Sequence, residues 1–330
     1  MNNQLQDNRK EGYIFTSYGK SKYLRDAIVS ANTIRRYDTK RPIALYCSSE
    51  HVQKIDDYGL SGVFDVVEEI DEKFQSITGF KHNLHEFMPF DRNMYLDSDM
   101  IWCRNPDRLW HAFEPFPYTI TGQESADVFY GAPKNIGVMM DILLRRRQKT
   151  LKRYGLTHLY RVQTGIMYAA DQEMTKKVND LAKKYLSEQD QTHFVSRTNE
   201  AGRTLESCEW SLGMAMTKLE LFVYPWFNGM ESPQLDFIHG MTKHDPDFSD
   251  VQCLYYCNPF MHGLRGIPSA ATRKLILNLF YFMPRSRDHM WVTPYVLHFG
   301  WSHQKSYFNA FAEAEWAKLR EEKERLPEIK

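Results

Sequence analysis

Short apolar strands alternate with amphipathic helices in the first third of the chain, and this alternation limits the possible folds more than any other feature. Strands are predicted over 13–16, 43–47, 63–67 and 93–97. The spacing of apolar residues between them predicts helices over 23–37, 48–58 and 81–88. Helices that connect consecutive strands make those strands parallel, through right-handed crossovers. The sequence therefore predicts an α/β fold with a mainly parallel sheet flanked by helices.

The rest of the chain is less regular. Further helices are predicted over 135–153, 173–187, 206–217 and from residue 308 onward. Two more strands are predicted over 163–169 and 295–299. The segment 228–260 is rich in Gly, Pro and His, and we expect it to be a loop.

The composition is that of an ordinary globular protein with one large domain or two smaller ones. The chain has 330 residues, of which 42% are apolar, and its 42 Lys and Arg balance its 42 Asp and Glu. Because no global basic field results, binding to nucleic acid is not expected. The N-terminus lacks the apolar core of a signal peptide, and the most apolar stretch, 275–283, is too short to span a membrane. We therefore expect a cytoplasmic protein.

The cysteines agree with that expectation. An odd number is present, which favours reduced thiols in a cytosol-like compartment: Cys47, Cys103, Cys208, Cys253 and Cys257. Cys253, Cys257 and His262 lie close together in the sequence, as zinc ligands often do. No second ligand pair has zinc spacing, so we interpret these cysteines as buried or idle thiols.

A run of six basic residues lies between positions 145 and 153, within one of the predicted helices. Such a run is more often a solvated helix face than a binding site. It also fits contact with an anionic acceptor or with the surface of a membrane. The sequence leaves these alternatives open, including peripheral membrane contact.

Two aspartates, Asp97 and Asp99, stand at the end of the strand predicted over 93–97. Side chains two residues apart in a strand share a face, so both carboxylates can point at one spot. Hard oxygen ligands of this kind suit Mg²⁺ or Mn²⁺, which is commonly shared with a substrate diphosphate. Ligands of parallel sheets bind beyond the carboxyl ends of the strands, where Thr16 and Tyr18 also lie. A solvated turn with two exposed aspartates is the alternative explanation.

Several further motifs follow in a recognisable order. They are residues 15–18, Lys81, the segment 91–100, residues 164–168, and 298–300 with Lys305. Together they resemble the GT-A glycosyltransferases, most closely the family 8 branch that includes glycogenin and bacterial lipopolysaccharide galactosyl- and glucosyltransferases. The most specific part is the decapeptide Asp-Arg-Asn-Met-Tyr-Leu-Asp-Ser-Asp-Met at 91–100.

The resemblance implies a Rossmann-like GT-A fold with a mixed, mainly parallel sheet and a C-terminal extension on the acceptor side. A single domain would span 13–305, with a nucleotide-binding half over 13–110 and an acceptor half over 111–305. A flexible N-terminus over 1–12 and a C-terminal helix over 306–330 would flank it.

The resemblance also implies an activity, the transfer of a sugar from a nucleotide sugar to a glycan, lipid-linked or protein acceptor. UDP is the expected nucleotide, and Mn²⁺ or Mg²⁺ would neutralise the leaving diphosphate. The implied metal ligands are Asp97, Asp99 and His298, and the imidazole nitrogen favours Mn²⁺. The implied donor-binding residues are Thr16, Tyr18, Lys81, Ser98 and Lys305.

The acceptor side departs from the family pattern. Gln163-Thr164-Gly165 replaces the usual Asn-Ser/Thr-Gly, and Lys305 is followed by Ser306-Tyr307 instead of Pro-Trp. The resemblance implies retention of the anomeric configuration, with Glu206, Glu209 and Gln163 as candidate catalytic residues. An inverting enzyme would need a general base near the acceptor, for which Glu124, Asp127 and Asp236 are also available.

Two other functions remain open. A sugar-1-phosphate nucleotidyltransferase also places a carboxylate at a strand end, but it usually carries a glycine-rich basic phosphate loop, of which only Gly19 and Lys20 are present here. A non-catalytic protein could keep the same fold as a nucleotide-sugar-binding module. The sequence does not indicate the oligomeric state.

Overall fold

The computed structural model describes residues 10–60, 62–126, 130–131, 136–196, 198, 206–256, 267, 269–281, 289–323, 326–327 and 329. The chain divides into two compact units. The first unit contains Met1–Lys20, Lys40–Asp97 and Phe113–Pro225. The second unit contains Ser21–Thr39, Ser98–Ala112 and Trp226–Lys330.

The described strands and helices are numbered here in chain order. The strands are β1 (Glu11–Ser17), β2 (Ile43–Cys47), β3 (Val66–Glu69), β4 (Arg92–Leu96), β5 (Met100–Trp102), β6 (Tyr118–Gln123), β7 (Arg161–Ala169), β8 (Tyr224–Pro225), β9 (Gln234–Asp236), β10 (Thr242–His244), β11 (Val251–Tyr256), β12 (His289–Val292) and β13 (Val296–His298). The helices are α1 (Ser21–Arg35), α2 (Ser49–Asp57), α3 (Ile77–Lys81), α4 (Asp107–Phe113), α5 (Ile136–Leu143), α6 (Arg146–Tyr154), α7 (Gln172–Ser187), α8 (Glu209–Lys218), α9 (Ala270–Tyr281) and α10 (Lys305–Glu322).

A seven-stranded mixed sheet forms the centre of the first unit, in the order β3-β2-β1-β4-β7-β6-β8. The strands β1 to β4 are parallel, and β7 runs antiparallel to both β4 and β6. All residues of β2 and β4 are buried, as expected for strands that are covered on both faces. The predicted α/β fold, with a mixed, mainly parallel sheet flanked by helices, is confirmed.

An aromatic cluster in the first unit fixes the segment that precedes β4. The ring of Phe80 stacks on Phe87 with centroids 4.5 Å apart, and it contacts the ring of Tyr95 at 5.6 Å. Offset aromatic pairs at such distances add to the stability that burial itself provides. Because Lys81 follows Phe80 directly, this packing also sets the position of the lysine relative to β4.

Two three-stranded sheets organise the second unit, with the orders β5-β13-β9 and β10-β11-β12. The short strand β13 lies between β5, to which it is antiparallel, and β9, to which it is parallel. Helix α1 packs against α10 and β5. The register pairs His298 of β13 with both Met100 and Asp236. In the described part of the chain, no helix combines the length and the apolar character needed to cross a bilayer.

Two predictions that precede β4 are wrong in their boundaries. The strand expected over 63–67 is β3, Val66–Glu69, because the backbone N–H of Val63 donates to Leu60 in a turn. The helix expected over 81–88 ends at Lys81, since Ser76 accepts the N–H of Gly79 and starts α3 earlier in the chain. Both errors arise in short elements whose ends depend on local hydrogen bonds.

Three later predictions also need correction. The helix expected over 135–153 is two helices, α5 and α6, separated at Arg145, whose φ of 50° is left-handed; Asn135 lies outside the described residues. The expected loop over 228–260, of which 257–260 lie outside the described residues, contains β9, β10 and β11, whose partners include strands far along the chain. The helix expected to begin at Glu206 begins at Glu209.

Candidate functional site

Asp97 is the last residue of the segment Lys40–Asp97 of the first unit and directly follows the buried strand β4. Its backbone N–H donates to the carbonyl of Gly165 on β7 at 3.0 Å. The phenol of Tyr95 donates to Asp97 Oδ1 at 3.0 Å, and Lys81 Nζ lies 2.7 Å from the same oxygen. The side chain is still 27% exposed. The carboxylate is therefore held by two partners and still reaches solvent.

Lys81 is the main partner of Asp97, and only 5% of this lysine is exposed. Its Nζ also donates to the carbonyl and the hydroxyl of Thr164, at 3.0 Å each. An ammonium group has three N–H donors, so the contacts with Asp97 and Thr164 engage all of them. Burial lowers the pKa of Lys81, but the Asp97 carboxylate and neighbouring groups act against this, and the pKa is raised above its ordinary value. Lys81 therefore stays charged and neutralises Asp97.

Asp99 and His298 lie together in the second unit, where β5 begins and β13 ends. The backbone N–H of Phe299 donates to the carbonyl of Asp99 at 3.1 Å. His298 Nε2 lies 3.7 Å from Asp99 Oδ1, and Lys305 Nζ lies 2.8 Å from Asp99 Oδ2. The side chain of His298 is 4% exposed and that of Asp99 is 18% exposed. An imidazole nitrogen and a carboxylate thus face each other at a distance that a bound cation can bridge.

Asp236 of β9 holds the other side of the His298 ring. Its Oδ1 lies 2.9 Å from His298 Nδ1, and its Oδ2 accepts the indole N–H of Trp301 at 2.9 Å. A carboxylate only accepts hydrogen bonds, so in the neutral ring the proton is on Nδ1 and the lone pair is on Nε2, toward Asp99. This is the tautomer of a metal-ligating histidine supported by a carboxylate. The sequence suggested Asp236 only as a possible general base.

Gly300 leaves room for the His298 ring. A Cβ at this position would lie 2.3 Å from His298 Cε1 and 2.9 Å from Nδ1. We therefore expect Gly300→Ala to displace the ring and to weaken Mn²⁺ binding by about 10- to 100-fold, as the loss of support around a metal ligand typically does. Titration of Mn²⁺ followed by electron paramagnetic resonance measures this affinity.

The matched control is Gly62→Ala, because nothing in the described part of the chain lies within 4 Å of a Cβ at that position. This variant should bind Mn²⁺ as the unchanged protein does. Equal Mn²⁺ affinities of the Gly300→Ala and Gly62→Ala variants would show that His298 does not ligate the cation.

Asp236→Asn tests how His298 is oriented. His298 and Trp301 bond to different oxygens of Asp236, and in asparagine one of these oxygens is replaced by an NH2 group, which donates and does not accept. We expect this variant to lose Mn²⁺ affinity by about 10- to 100-fold. In Asp236→Asn/Trp301→Phe the amide oxygen can turn to His298, and part of the affinity should return. Nitrogen-15 NMR of the histidine ring reports its tautomer without the cation.

Trp301→Phe alone is the control for this series, and it should bind Mn²⁺ nearly as the unchanged protein does. Equal losses in Asp236→Asn and in the double variant would contradict the competition between the two donors. Unchanged Mn²⁺ affinity in Asp236→Asn would contradict the orienting role of Asp236 altogether.

Thr16 lies near the end of β1 in the first unit, and Tyr18 directly follows that strand. The hydroxyl of Thr16 is buried, and it makes no hydrogen bond within the described part of the chain. Ser17 Oγ lies 2.9 Å from His51 Nδ1, and His51 Nε2 lies 3.1 Å from the carbonyl of Gly19. Tyr18 packs at the edge of the aromatic core. The end of β1 is therefore anchored through Ser17, while the buried hydroxyl of Thr16 has no hydrogen-bond partner within the described residues.

Of the candidate catalytic residues, Gln163 lies on β7, Glu206 shortly before α8 and Glu209 at the start of α8. Gln163 Oε1 accepts the N–H of Gly165 at 3.0 Å. Glu206 accepts the hydroxyl of Ser196, and Glu209 lies in the first turn of α8, where it helps to raise the pKa of Lys81. Ser98 is half-buried. Of the other acids considered, Glu124 is exposed and Asp127 lies outside the described residues.

The thiols that the structure describes are all buried: Cys47, Cys103, Cys208 and Cys253. Cys257 and His262, the other members of the zinc alternative, lie outside the described residues. Burial raises the pKa of Cys208 to about 11, so this thiol next to Lys81 is not a thiolate at neutral pH.

Comparisons with known proteins found similar folds only among solved structures. No protein-family model and no curated protein sequence matches the chain. The galactosyltransferase LgtC, in complex with donor and acceptor sugar analogs, is 14% identical, with 93% of this chain and 99% of that chain covered and a TM-score of 0.49. Mouse xyloside xylosyltransferase 1 is 12% identical over 70% of this chain and 88% of that chain, with a TM-score of 0.46.

The glycosyltransferase GlyE of Streptococcus pneumoniae is 14% identical, with 98% of this chain and 66% of that chain covered and a TM-score of 0.42. All three of these proteins are glycosyltransferases.

Proposed function

We propose that the protein is a metal-dependent glycosyltransferase of the GT-A type, similar to family 8, that transfers a sugar from a nucleotide sugar to a glycan, lipid-linked or protein acceptor. One observation carries the proposal. The His298 ring, supported by Asp236, directs Nε2 at Asp99, which ends the Asp97-Ser98-Asp99 triplet. Carboxylate oxygens combined with a neutral imidazole suit Mn²⁺ better than Mg²⁺.

The proposed metal ligands are Asp97, Asp99 and His298. Asp97 stands two residues before Asp99, so chain connectivity keeps the two carboxylates near each other. Lys81 and Tyr95 restrain Asp97, while Lys305 pairs with Asp99. When bound, the cation supplies a Lewis acid that stabilises the negative charge of a leaving diphosphate.

The proposed donor site uses residues around the same triplet. Thr16 offers its buried hydroxyl, and Tyr18 offers an aromatic ring for the base and ribose of a uridine nucleotide. Lys305 has a half-exposed ammonium group that can pair with a diphosphate oxygen as a point charge. Ser98 lies between the two ligand carboxylates in the chain. Lys81 also belongs to the proposed donor site, because it holds the Asp97 carboxylate in place.

The proposed acceptor side is built from Gln163, Glu206 and Glu209. A retaining transfer leaves the acceptor hydroxyl on the same face of the sugar as the departing diphosphate, and a phosphate oxygen can then take its proton. Glu209, beside Lys81, can assist as a base. Asp236 is a poor candidate for the base of an inverting reaction, because its oxygens already accept from His298 and Trp301.

A thermal-shift panel of nucleotide sugars with and without Mn²⁺ tests the donor class. A ligand that binds only the folded protein stabilises it by about 2.7 kcal/mol at a concentration of 100 Kd. We expect stabilisation by UDP-sugars that depends on Mn²⁺, followed by Mn²⁺-dependent release of UDP. Binding without turnover across the panel would favour the non-catalytic module. Release of pyrophosphate from a nucleoside triphosphate and a sugar 1-phosphate would favour the nucleotidyltransferase.

The stereochemistry of the product tests the proposed retention of the anomeric configuration. Proton NMR of a product formed from a donor of known anomer shows whether the configuration is kept. A product with the inverted configuration would reject the retaining mechanism and leave the glycosyltransferase assignment intact.

A further inference from the structure

Helix α5, in the first unit, exposes a group of large apolar side chains. Five of them, with exposed fractions between 41% and 71%, lie within or directly after this helix: Met139, Met140, Ile142, Leu143 and Leu144. Scattered apolar residues are normal on protein surfaces, but a contiguous group of this kind marks an interaction site.

The polarity of α5 is the reverse of that of an ordinary surface helix. Asp141 is its only acidic residue, and it is 7% exposed, whereas the apolar residues on either side of it point to solvent. Arg146 Nη1 lies 3.2 Å from Asp141 Oδ1 and compensates its charge. A solvated helix would place the acid outside and the apolar side chains inside, so this helix is arranged for an apolar environment.

The basic run follows this apolar group directly. Arg145, Lys149, Lys152 and Arg153 are all exposed. Thr150, on the buried side of α6, accepts the N–H of His193 at 2.9 Å and thereby anchors the helix with its basic side chains outward. Asp141, which pairs with Arg146, is the only Asp or Glu from residue 128 to residue 170, although acids and bases balance over the whole chain. The other five basic residues of the run therefore have no acidic neighbour in the sequence to offset their charge.

We propose that α5 and α6 form a docking surface for an anionic lipid bilayer. The apolar side chains of 139–144 enter the boundary between headgroups and acyl chains, and the basic residues of 145–153 contact the negatively charged headgroups. The charge of the surface favours this partner, because a second copy of the chain would present the same basic run and repel the first. A merely solvated basic face does not account for the exposed apolar residues beside it. The inference does not depend on the proposed enzymatic activity.

Sedimentation of the full chain with lipid vesicles tests the proposal without donor or metal. We expect binding to vesicles of phosphatidylglycerol and phosphatidylcholine, weakening as salt is raised, and little binding to phosphatidylcholine alone. Arg145→Asn/Lys149→Gln/Lys152→Gln should lower the partition coefficient by about 100-fold, since each basic residue near the surface contributes about fivefold. Asparagine is chosen at position 145 because it tolerates the left-handed backbone. Met140→Gln/Leu143→Gln should also weaken binding.

Two matched control variants make the same kinds of substitution at exposed positions outside α5 and α6. Lys73→Gln/Lys176→Gln/Lys318→Gln removes three lysines whose side chains are more than half exposed. Leu275→Gln/Leu279→Gln changes two leucines on α9 that are 60% exposed. Both should bind vesicles as the unchanged protein does, and thermal unfolding should show that all variants are folded.

Three results would overturn the proposal. They are equal binding to neutral and anionic vesicles, equal losses in the patch and control variants, and absence of vesicle binding. In the last case, a dimer that dissociates in Met140→Gln/Leu143→Gln would identify a second copy as the partner of this surface.

Discussion

Asp99→Asn is expected to abolish the Mn²⁺-dependent binding of UDP while leaving the protein folded. The change removes a negative charge that faces His298 at 3.7 Å, and a neutral amide is a far weaker ligand for a divalent cation. We expect the affinity for UDP in the presence of Mn²⁺ to fall more than about 100-fold, beyond the range seen when only the support of a ligand is lost. Isothermal titration calorimetry with and without Mn²⁺ measures the effect.

The stability of this variant should change by less than about 1 kcal/mol. The ion pair that is lost, between Asp99 and Lys305, has a half-exposed ammonium group, and such pairs contribute little. Asp247→Asn is a matched control, because Asp247 pairs with Lys318 at 2.7 Å, also in the second unit. If Asp99→Asn and Asp247→Asn bind UDP with the same Mn²⁺ dependence, Asp99 is not a ligand and the proposed function loses its main support.

Lys81→Met is expected to destabilise the first unit by about 3 kcal/mol. Methionine fills a similar volume but leaves the Asp97 carboxylate without its counter-charge and Thr164 without its donor. Breaking a buried ion pair typically costs about 3–5 kcal/mol. Because 27% of the Asp97 side chain is exposed, we expect a value at the low end of that range. Urea unfolding at neutral pH, followed by circular dichroism, measures it.

The double variant Lys81→Met/Asp97→Asn separates the two roles considered for Lys81. If the lysine mainly neutralises Asp97, removal of the second charge should restore part of the lost stability, so that the two changes are not additive. If Lys81 mainly contacts the donor, Lys81→Met should change donor affinity with a stability loss below about 1 kcal/mol, and the ion-pair interpretation would be wrong.

The parts of the fold that were predictable depend on local spacing. The apolar runs of β1, β2 and β4 and the helical periodicity of α1 were readable because burial on both faces, or on one stripe, imprints its pattern on consecutive residues. The strands β9, β10 and β11 were missed. β9 and β10 have three residues each and no periodicity of their own, and β11 lies in a segment whose Gly, Pro and His content indicated a loop. They are strands only because distant partners complete their hydrogen bonds.

The candidate site divides in the same way. Asp97 and Asp99 were recognisable because two carboxylates at a strand end are adjacent in the chain, and the ordered motifs pointed to His298 and Lys305. The residues that hold these side chains in place could not be recognised from the sequence. Asp236 lies 62 residues before His298, and only the parallel pairing of β9 with β13 brings the two side chains to 2.9 Å.

For this protein the sequence by itself determined the α/β class, the order of the main strands and helices, and the candidate metal carboxylates, because each follows from the chemistry of neighbouring residues. Only the tertiary structure decided that Asp236 orients His298, that Lys81 neutralises Asp97, and that α5 turns its apolar side chains to solvent. These features depend on distances between residues far apart in the chain, or on which face of a helix is covered. No local pattern encodes such information.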